Sequence, residues 1–325
     1  MRHAKEQSYN RRIFKSMFST LSIVTPIFAL IFSGYVCRRF KVLSSQAASE
    51  LNRFVIYLAL PALLFDITVN LHLRELYQPG FVGAIGLSTG GLFLLTLLIR
   101  GRKVNSADAS IEALNASYAN VGFIGIPLCA ASLGKGSLAP ATIATVFTVC
   151  ILFAWAIIVI ETAIQADRSF VHALLKTIPK LGRNPLLIAP TFGILTAMTG
   201  MSPPASVLES LKLLGSASSP CALVALGLFL AESRSKLAWA ASTRLVALKL
   251  IVHPLITWVL AYHVFSMPRI WAQAAVLLTA LPTGTGAFML AEFYERDAPM
   301  TSSAILFSTI GSLISIALCL FLFTK

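Results

Sequence analysis

Charge is scarce in this sequence. Only 12% of its 325 residues are Asp, Glu, Lys or Arg, 57% are hydrophobic, and the mean hydropathy is +0.80. About a quarter of a soluble domain is charged, so this shortage excludes an ordinary soluble domain and marks a membrane protein. A hydrocarbon core about 30 Å thick takes about 20 apolar residues per helix, which gives this chain room for about ten crossings and none for a soluble catalytic domain. Paired cysteines are missing too. Cys37, Cys129, Cys150, Cys221 and Cys319 lie singly inside apolar runs, without CxxC spacing, and read as small core residues; no metal, disulfide or cofactor is expected. Neither HExxH nor GxSxG occurs and no signalling domain is appended, which speaks against an intramembrane enzyme or a membrane sensor.

What is present is a series of apolar runs bounded by charges or Pro/Gly turns. They predict helices near 19–37, 47–70, 79–99, 110–134, 138–164, 185–200, 205–231, 243–266, 270–292 and 300–323. The net charge of +13 comes from 26 Lys and Arg against 13 Asp and Glu, and much of it falls on alternate loops. Those after helices 1, 3, 5, 7 and 9 hold Arg38, Arg39, Lys41; Arg100, Arg102, Lys103; Arg168, Lys176, Lys180, Arg183; Arg234, Lys236; and Arg296, against only Arg74, Lys135 and Arg269 on the opposite side. Because basic loops are retained in the cytoplasm, this pattern puts both termini outside. The leader 1–16, with Arg2, Lys5, Arg11, Arg12 and Lys15, opposes that orientation and reads as a disordered tail or as sequence ahead of a natural start at Met17. The first apolar run lacks a small-x-small cleavage site and is expected to stay in the membrane.

Shifting the chain against itself by 159 residues aligns Pro26 with Pro185, Gly34 with Gly193, Pro61 with Pro220, Gly125 with Gly284, and Ala139-Pro140-x-Thr142 with Ala298-Pro299-x-Thr301. The expected organisation is therefore a first five-helix repeat over 17–164, a basic cytoplasmic linker over 165–184 and a second five-helix repeat over 185–325. Five is odd, so the second copy enters the membrane from the opposite side. An inverted repeat of this kind is a signature of secondary transporters, whose substrate sites lie near the midplane where interrupted helices meet.

Each half offers one such helix. Helix 4 contains Asn115-Ala-Ser-Tyr118-Ala-Asn120-Val-Gly122-Phe-Ile-Gly125-Ile-Pro127, and helix 9 contains Thr279-Ala-Leu-Pro282-Thr283-Gly284-Thr285-Gly286. Proline removes a backbone donor and glycine permits an unwound path, so each cluster is expected to split its helix in two. The amide end of each second half-helix then points into the midplane and forms an anion site, to which Asn120, Thr283 and Thr285 add neutral donors. Close helix packing or a kink is the competing explanation for either cluster alone.

Charged groups inside the spans are few. Lys249 lies about 9 Å into helix 8, from where its stem can reach back to the interface. His253 shares its helix face and reads first as a satisfied core histidine. Asp66, Glu112, Glu161, Glu209 and Glu292 sit toward helix ends and read as solvated or end-of-helix groups, with Asp66 the leading candidate for a proton carrier. Asp66, Lys249 and His253 are the candidates for coupling or charge compensation. No carboxylate pair marks the midplane, which speaks against a cation/proton antiporter.

Leu51-Asn52-Arg53-Phe54 leading to Leu60-Pro61-Ala62-Leu63-Leu64, Asn120 to Gly125-Ile126-Pro127-Leu128, Asn184-Pro185-Leu186-Leu187-Ile188-Ala189-Pro190, Pro220-Cys221-Ala222-Leu223 with Leu226-Gly227, Lys249 with His253-Pro254, and Leu281-Pro282-Thr283-Gly284 together resemble the auxin efflux carrier family. Its bacterial members include malonate and malate permeases, and the plant PIN-type auxin carriers are relatives. The resemblance implies an all-α polytopic fold of ten helices like that of bile-acid symporters and sodium/proton antiporters, a 5+5 inverted repeat in which helices 4 and 9 cross as broken helices. Helices 1, 2, 6 and 7 would form a scaffold and the other six a moving transport domain. By position it assigns substrate binding to Asn120, Gly122, Gly125 and Pro127 in helix 4 and to Pro282, Thr283, Gly284 and Thr285 in helix 9. Many members continue Pro-Thr-Gly with a small residue and Asn; here stand Thr285 and Gly286, one amide fewer. The expected function is alternating-access transport of an organic anion, a small carboxylate, across the bacterial inner membrane, with a proton or sodium as candidate coupling ion and a homodimer as candidate assembly. The alternative is a sodium- or proton-driven cation antiporter on the same fold.

Overall fold

The computed structural model describes residues 25–44, 46–70, 78–164, 178–179, 181–200, 203–232, 239–296 and 298–323. The leader 1–16, most of the linker 165–184, and Arg74, Arg234 and Lys236 lie outside the described residues. Within them the regular structure is helical, apart from one isolated β-bridge. In chain order the segments are α1 (25–39), α2 (Ala47–Val69), α3 (Pro79–Gly101), α4 (Ser106–Ser117), α5 (Val121–Leu133), α6 (Lys135–Ile164), α7 (Pro185–Thr199), α8 (Ala205–Ala231), α9 (Ala240–Val264), α10 (Arg269–Thr279), α11 (Gly286–Phe293) and α12 (Ala298–Phe323). Six of these, α2, α3, α6, α8, α9 and α12, run 23 to 30 residues and are apolar enough to cross a bilayer. Phe32, Leu58, Leu98, Ile251, Leu255 and Ile314 are more than half exposed on the outside of the bundle, a pattern that fits lipid and not water. The chain is a multi-pass membrane protein.

Local chemistry sets the ends. α4 starts at Ser106, ahead of the apolar run near 110, because Asn105 caps it: its side-chain oxygen accepts from the Ala107 amide at 2.8 Å. Asn184 does the same for α7 through Leu186 at 3.0 Å, with Pro185 in the first turn. α7 then ends at Gly200 in the left-handed conformation, φ 69°. Three helical prolines are accommodated by wide π-turns placed just before them. Val55–Ala59 precedes Pro61, Val121–Gly125 precedes Pro127 and Leu248–Val252 precedes Pro254. A wide turn gives room for the carbonyl that the proline ring would strike and that finds no amide there.

The helices pack in two groups. α7 lies along the second half of α2, and α8 lies across both halves of α2. These crossings are close enough to require glycine. A Cβ on Gly34 would stand 2.2 Å from the Val224 carbonyl oxygen, on Gly227 2.0 Å from that of Ile31, on Gly193 2.0 Å from Thr68 Oγ1, and on Gly215 2.9 Å from the Leu63 backbone. The second group joins α3 to α4, α4 to α6, α9 to α10 and α12, and α10 to α6. Polar pairs then fix which helix ends share a face. Arg100, at the end of α3, grips Glu112 in α4 through two bonds at 2.5 and 2.7 Å, and Arg244 in α9 adds a third at 3.0 Å. Arg296, beyond α11, meets Asp108 at 3.5 Å, and Tyr294 donates to Glu161 at the end of α6 at 2.8 Å. On the opposite face Arg269, at the start of α10, donates to the Phe323 carbonyl at the end of α12 at 2.9 Å. The solvated role expected for Glu112 is corrected here: it is 3% exposed and doubly paired. The helix ends that converge on it bury it.

The glycine contacts give a matched test. Gly227→Ala should lower the thermal midpoint of the detergent-solubilised protein by an amount equivalent to about 1–3 kcal/mol, the usual cost of overpacking. Gly91→Ala, where a Cβ meets nothing within 4 Å, should be neutral or stabilising by up to about 1 kcal/mol. Equal shifts for the two would contradict the close crossing of α1 and α8.

Candidate functional site

Two helical lines break and meet inside the protein. The first runs from α4 through Tyr118, Ala119 and Asn120 into α5; the second runs from α10 through 280–285 into α11. At the meeting point the two unwound segments pair as an antiparallel bridge between Ala119 and Thr283. The Asn120 amide donates to the Pro282 carbonyl and the Gly284 amide to the Tyr118 carbonyl, both at 3.0 Å. Pro282 has no amide to offer, so its place in the bridge, accepting only, costs nothing. Gly284 and Gly286 lie under the ring of Tyr118: a Cβ on either would come within 2.5 or 2.7 Å of it, and on Gly286 within 2.9 Å of Phe153 as well. Glycine at 286 therefore has a steric reason.

The position of the first break corrects the sequence reading. Gly122, Gly125 and Pro127 do not unwind helix 4; they lie in the wide turn and helix after the break. Glycine 125 serves close packing instead, since a Cβ there would stand 2.7 Å from Leu278. The second break does fall on the predicted Pro282, Thr283, Gly284 and Thr285.

The two kinds of helix end at this crossing are treated differently. Three carbonyls at the interrupted ends, where the negative end of the helix dipole lies, are capped by side chains. The Thr283 hydroxyl donates to the Asn115 carbonyl at 2.8 Å, the Ser315 hydroxyl to that of Ala280 at 2.8 Å, and the Lys249 amine to that of Thr279 at 2.6 Å. The Thr283 amide is taken by the Ser308 hydroxyl at 3.1 Å. By contrast, the amides of Gly122 and Phe123 in the first turn of α5, and of Thr285 and Gly286 at the start of α11, have no acceptor among the described residues. The half-buried Asn120 side chain and the Thr285 hydroxyl, on a residue 7% exposed, likewise make no hydrogen bond there. Unpaired donors and positive dipole ends thus collect at one place. Such an arrangement suits an anion.

Lys249 does not reach back to the interface, as its depth suggested. It is 0% exposed, turned inward onto the last carbonyl of α10. Its amine also lies 3.3 Å from His253 Nδ1, while His253 Nε2 lies 3.0 Å from the hydroxyl of Thr89 in α3. With Lys249 as an ammonium, which can only donate, Nδ1 accepts, Nε2–H donates and the Thr89 hydroxyl accepts. No carboxylate pairs with Lys249 among the described residues. Asp66 stands apart, bonded through Oδ1 to Asn70 at 3.1 Å, and no bond or ion pair joins it to the crossing.

Several residues of the site were not singled out from sequence. Tyr118 forms the bridge and covers its glycines. Asn115 accepts from Thr283 and donates to Thr301 at 3.0 Å. Thr301, Ser308, Ser312 and Ser315 recur at helical spacing along α12 and are buried or half-buried. That polar stripe in an apolar helix was the readable signal.

Comparison with known proteins agrees with the architecture. A family described as membrane transport protein matches residues 20–320. A protein named "Putative malonate transporter" from Rhizobium meliloti (strain 1021) is 28% identical over 310 residues, covering 94% of this chain and 96% of that one. An "Uncharacterized transporter" from Methanothermobacter thermautotrophicus is 26% identical over 91% of this chain and 95% of its own. The "Uncharacterized transporter YfdV" of Escherichia coli (strain K12) is 23% identical, again over 91% of this chain and 95% of its own.

The capped carbonyl end is open to test. Lys249→Met keeps the stem and removes the donor, leaving the Thr279 carbonyl and His253 Nδ1 buried without it. The expected loss is about 1–3 kcal/mol per unsatisfied group, read as a lower thermal midpoint in detergent. An unchanged midpoint would show that the amine does not hold the end of α10.

Proposed function

The chain belongs to the membrane transport protein family, the auxin efflux carriers that its motifs resemble, and from that premise we propose that it is a secondary transporter moving a small organic carboxylate by alternating access. The observation that carries the anion reading is the set of open first-turn amides at the crossing, beside the side-chain-capped carbonyls of Asn115, Thr279 and Ala280. A carboxylate there accepts from the first-turn amides of α5 and α11, from the Asn120 amide group and from the Thr285 hydroxyl. Thr283 is committed to holding Asn115 and acts by positioning. The name of the Rhizobium relative makes malonate the first substrate to try.

In this reading α4 with α5, and α10 with α11, are single interrupted crossings, which brings the count to ten in two inverted repeats. The packing supports it. Gly34 of the first half against Val224 of the second corresponds to Gly193 of the second against Phe65 of the first, the residues exchanged by the 159 shift. The polar pairs support alternating helix directions, and the loop charges then put the face holding Glu112 and Arg100 in the cytoplasm and both termini outside a bacterial inner membrane. The group α1, α2, α7 and α8, locked by its glycines, is the scaffold against which the remaining helices move. The cation-antiporter alternative needs an acid at the crossing; Glu112, Glu161 and Asp66 are instead bonded to Arg100 and Arg244, Tyr294 and Asn70.

Uptake of labelled malonate and a panel of related mono- and dicarboxylates into proteoliposomes tests the site. Asn120→Ala should reduce uptake of the accepted substrate at least about tenfold, the loss of one hydrogen bond to a charged group, with an unchanged thermal midpoint. Wild-type rates in that variant would remove Asn120 from the site.

A further inference from the structure

Away from the crossing, a cleft of about 610 Å³ runs between α9 and α12 over α10. Its walls include Leu255 and Leu318, 57% and 55% exposed, so it opens onto the apolar outer surface of the bundle. Polar groups interrupt this apolar lining, among them Gln273 and Arg269. Gln273, on the floor beside Val276, is only 8% exposed and its side chain makes no hydrogen bond among the described residues. Arg269 stands one turn away at the mouth, where the short connection between α9 and α10 must reach a membrane surface. It donates to the Phe323 carbonyl at 2.9 Å and has no carboxylate partner among the described residues. Trp258 lines the same cleft, with the amphipathic ring preferred at headgroup depth.

An amide that faces an apolar cleft without a partner is costly, and so is a basic residue placed beside hydrocarbon without a counter-ion. One class of molecule in the bilayer answers all three features together. We propose that this cleft is a binding site for an anionic glycerophospholipid: an acyl chain between Leu255 and Leu318, an ester carbonyl accepting from the Gln273 amide, and the headgroup phosphate paired with Arg269. From Arg269 to Val276 the floor descends about 10 Å along the helix, the step from headgroup to upper acyl chain. A small water-soluble carboxylate could pair with Arg269 but would leave the apolar walls and Gln273 unmatched. The site does not depend on what the crossing transports. It touches the same half-helix, because Ser315 lines the cleft and holds the Ala280 carbonyl at the break.

Native mass spectrometry of the full chain, released from micelles holding equimolar phosphatidylglycerol and phosphatidylcholine with identical chains, tests the assignment. Wild type should retain phosphatidylglycerol in preference to phosphatidylcholine. Arg269→Gln, an exposed change that leaves the fold intact, should reduce the phosphatidylglycerol adduct about fivefold, the worth of one basic residue at an anionic surface, without changing the phosphatidylcholine adduct. Arg269→Lys should keep the preference, and Gln273→Leu should weaken both adducts. Equal retention of the two lipids by wild type, or an unchanged adduct in Arg269→Gln, would overturn the proposal. A lipid-free dimer that Arg269→Gln dissociates would overturn it in favour of a second copy of the chain.

Discussion

Inside a bilayer no water is at hand to pair a free backbone group, so two helices cannot be interrupted there unless something supplies the missing partners. In this protein the breaks supply each other. The two hydrogen bonds between 118–120 and 282–284 are the smallest possible piece of β-structure, and they join segments far apart in sequence. Everything else at the centre follows from that pairing. Tyr118 must lie over 284 and 286, which therefore hold glycine. Pro282 is tolerated because the bridge asks it only to accept. The carbonyl ends exposed by the breaks draw in Lys249, Thr283 and Ser315, each from a different element. The first-turn amides of α5 and α11 stay open, and the positive ends of two short helices stand behind them.

The same constraint explains the polar residues dispersed through an apolar chain. α12 carries hydroxyls on the face that meets the breaks, and these serve the backbone of α10 and its extension. Lys249 is tied to His253 and through it to Thr89, which connects α3, α9 and the end of α10 in one buried chain of contacts. At the helix ends, Glu112 gathers Arg100 and Arg244. Positive charge thus does two kinds of work. On loops it carries the orientation signal of the positive-inside rule, and in a few places it neutralises a buried group.

Sequence reveals the parts of this design that depend on local composition. Apolar runs and their charged boundaries give the long spans, and Asn184-Pro185 gives the start of α7 to the residue. The break between α10 and α11 is legible because its proline and glycine sit in it. The break between α4 and α5 is legible only as lying somewhere within 115–127, because Tyr118-Ala119-Asn120 has no breaker of its own; its unwinding is imposed by pairing with Pro282 and Gly284. The true breakers nearby, Gly125 and Pro127, are absorbed by a wide turn that no propensity scale anticipates. Lys249 is conspicuous in an apolar run, yet the direction it turns depends on where α10 ends, which is a tertiary fact. Glu112 misleads for the same reason, as its arginines come from α3 and α9.

The central claim is that the paired breaks hold an anion at their amide ends. Its most direct test is a single-particle map of the protein with bound malonate, or with whichever carboxylate the uptake panel selects. The account predicts ligand density between the first turns of α5 and α11, within hydrogen-bonding distance of the Asn120 side chain and the Thr285 hydroxyl, with Lys249 still on the Thr279 carbonyl. Density that lay elsewhere, or a ligand paired directly with Lys249, would contradict it.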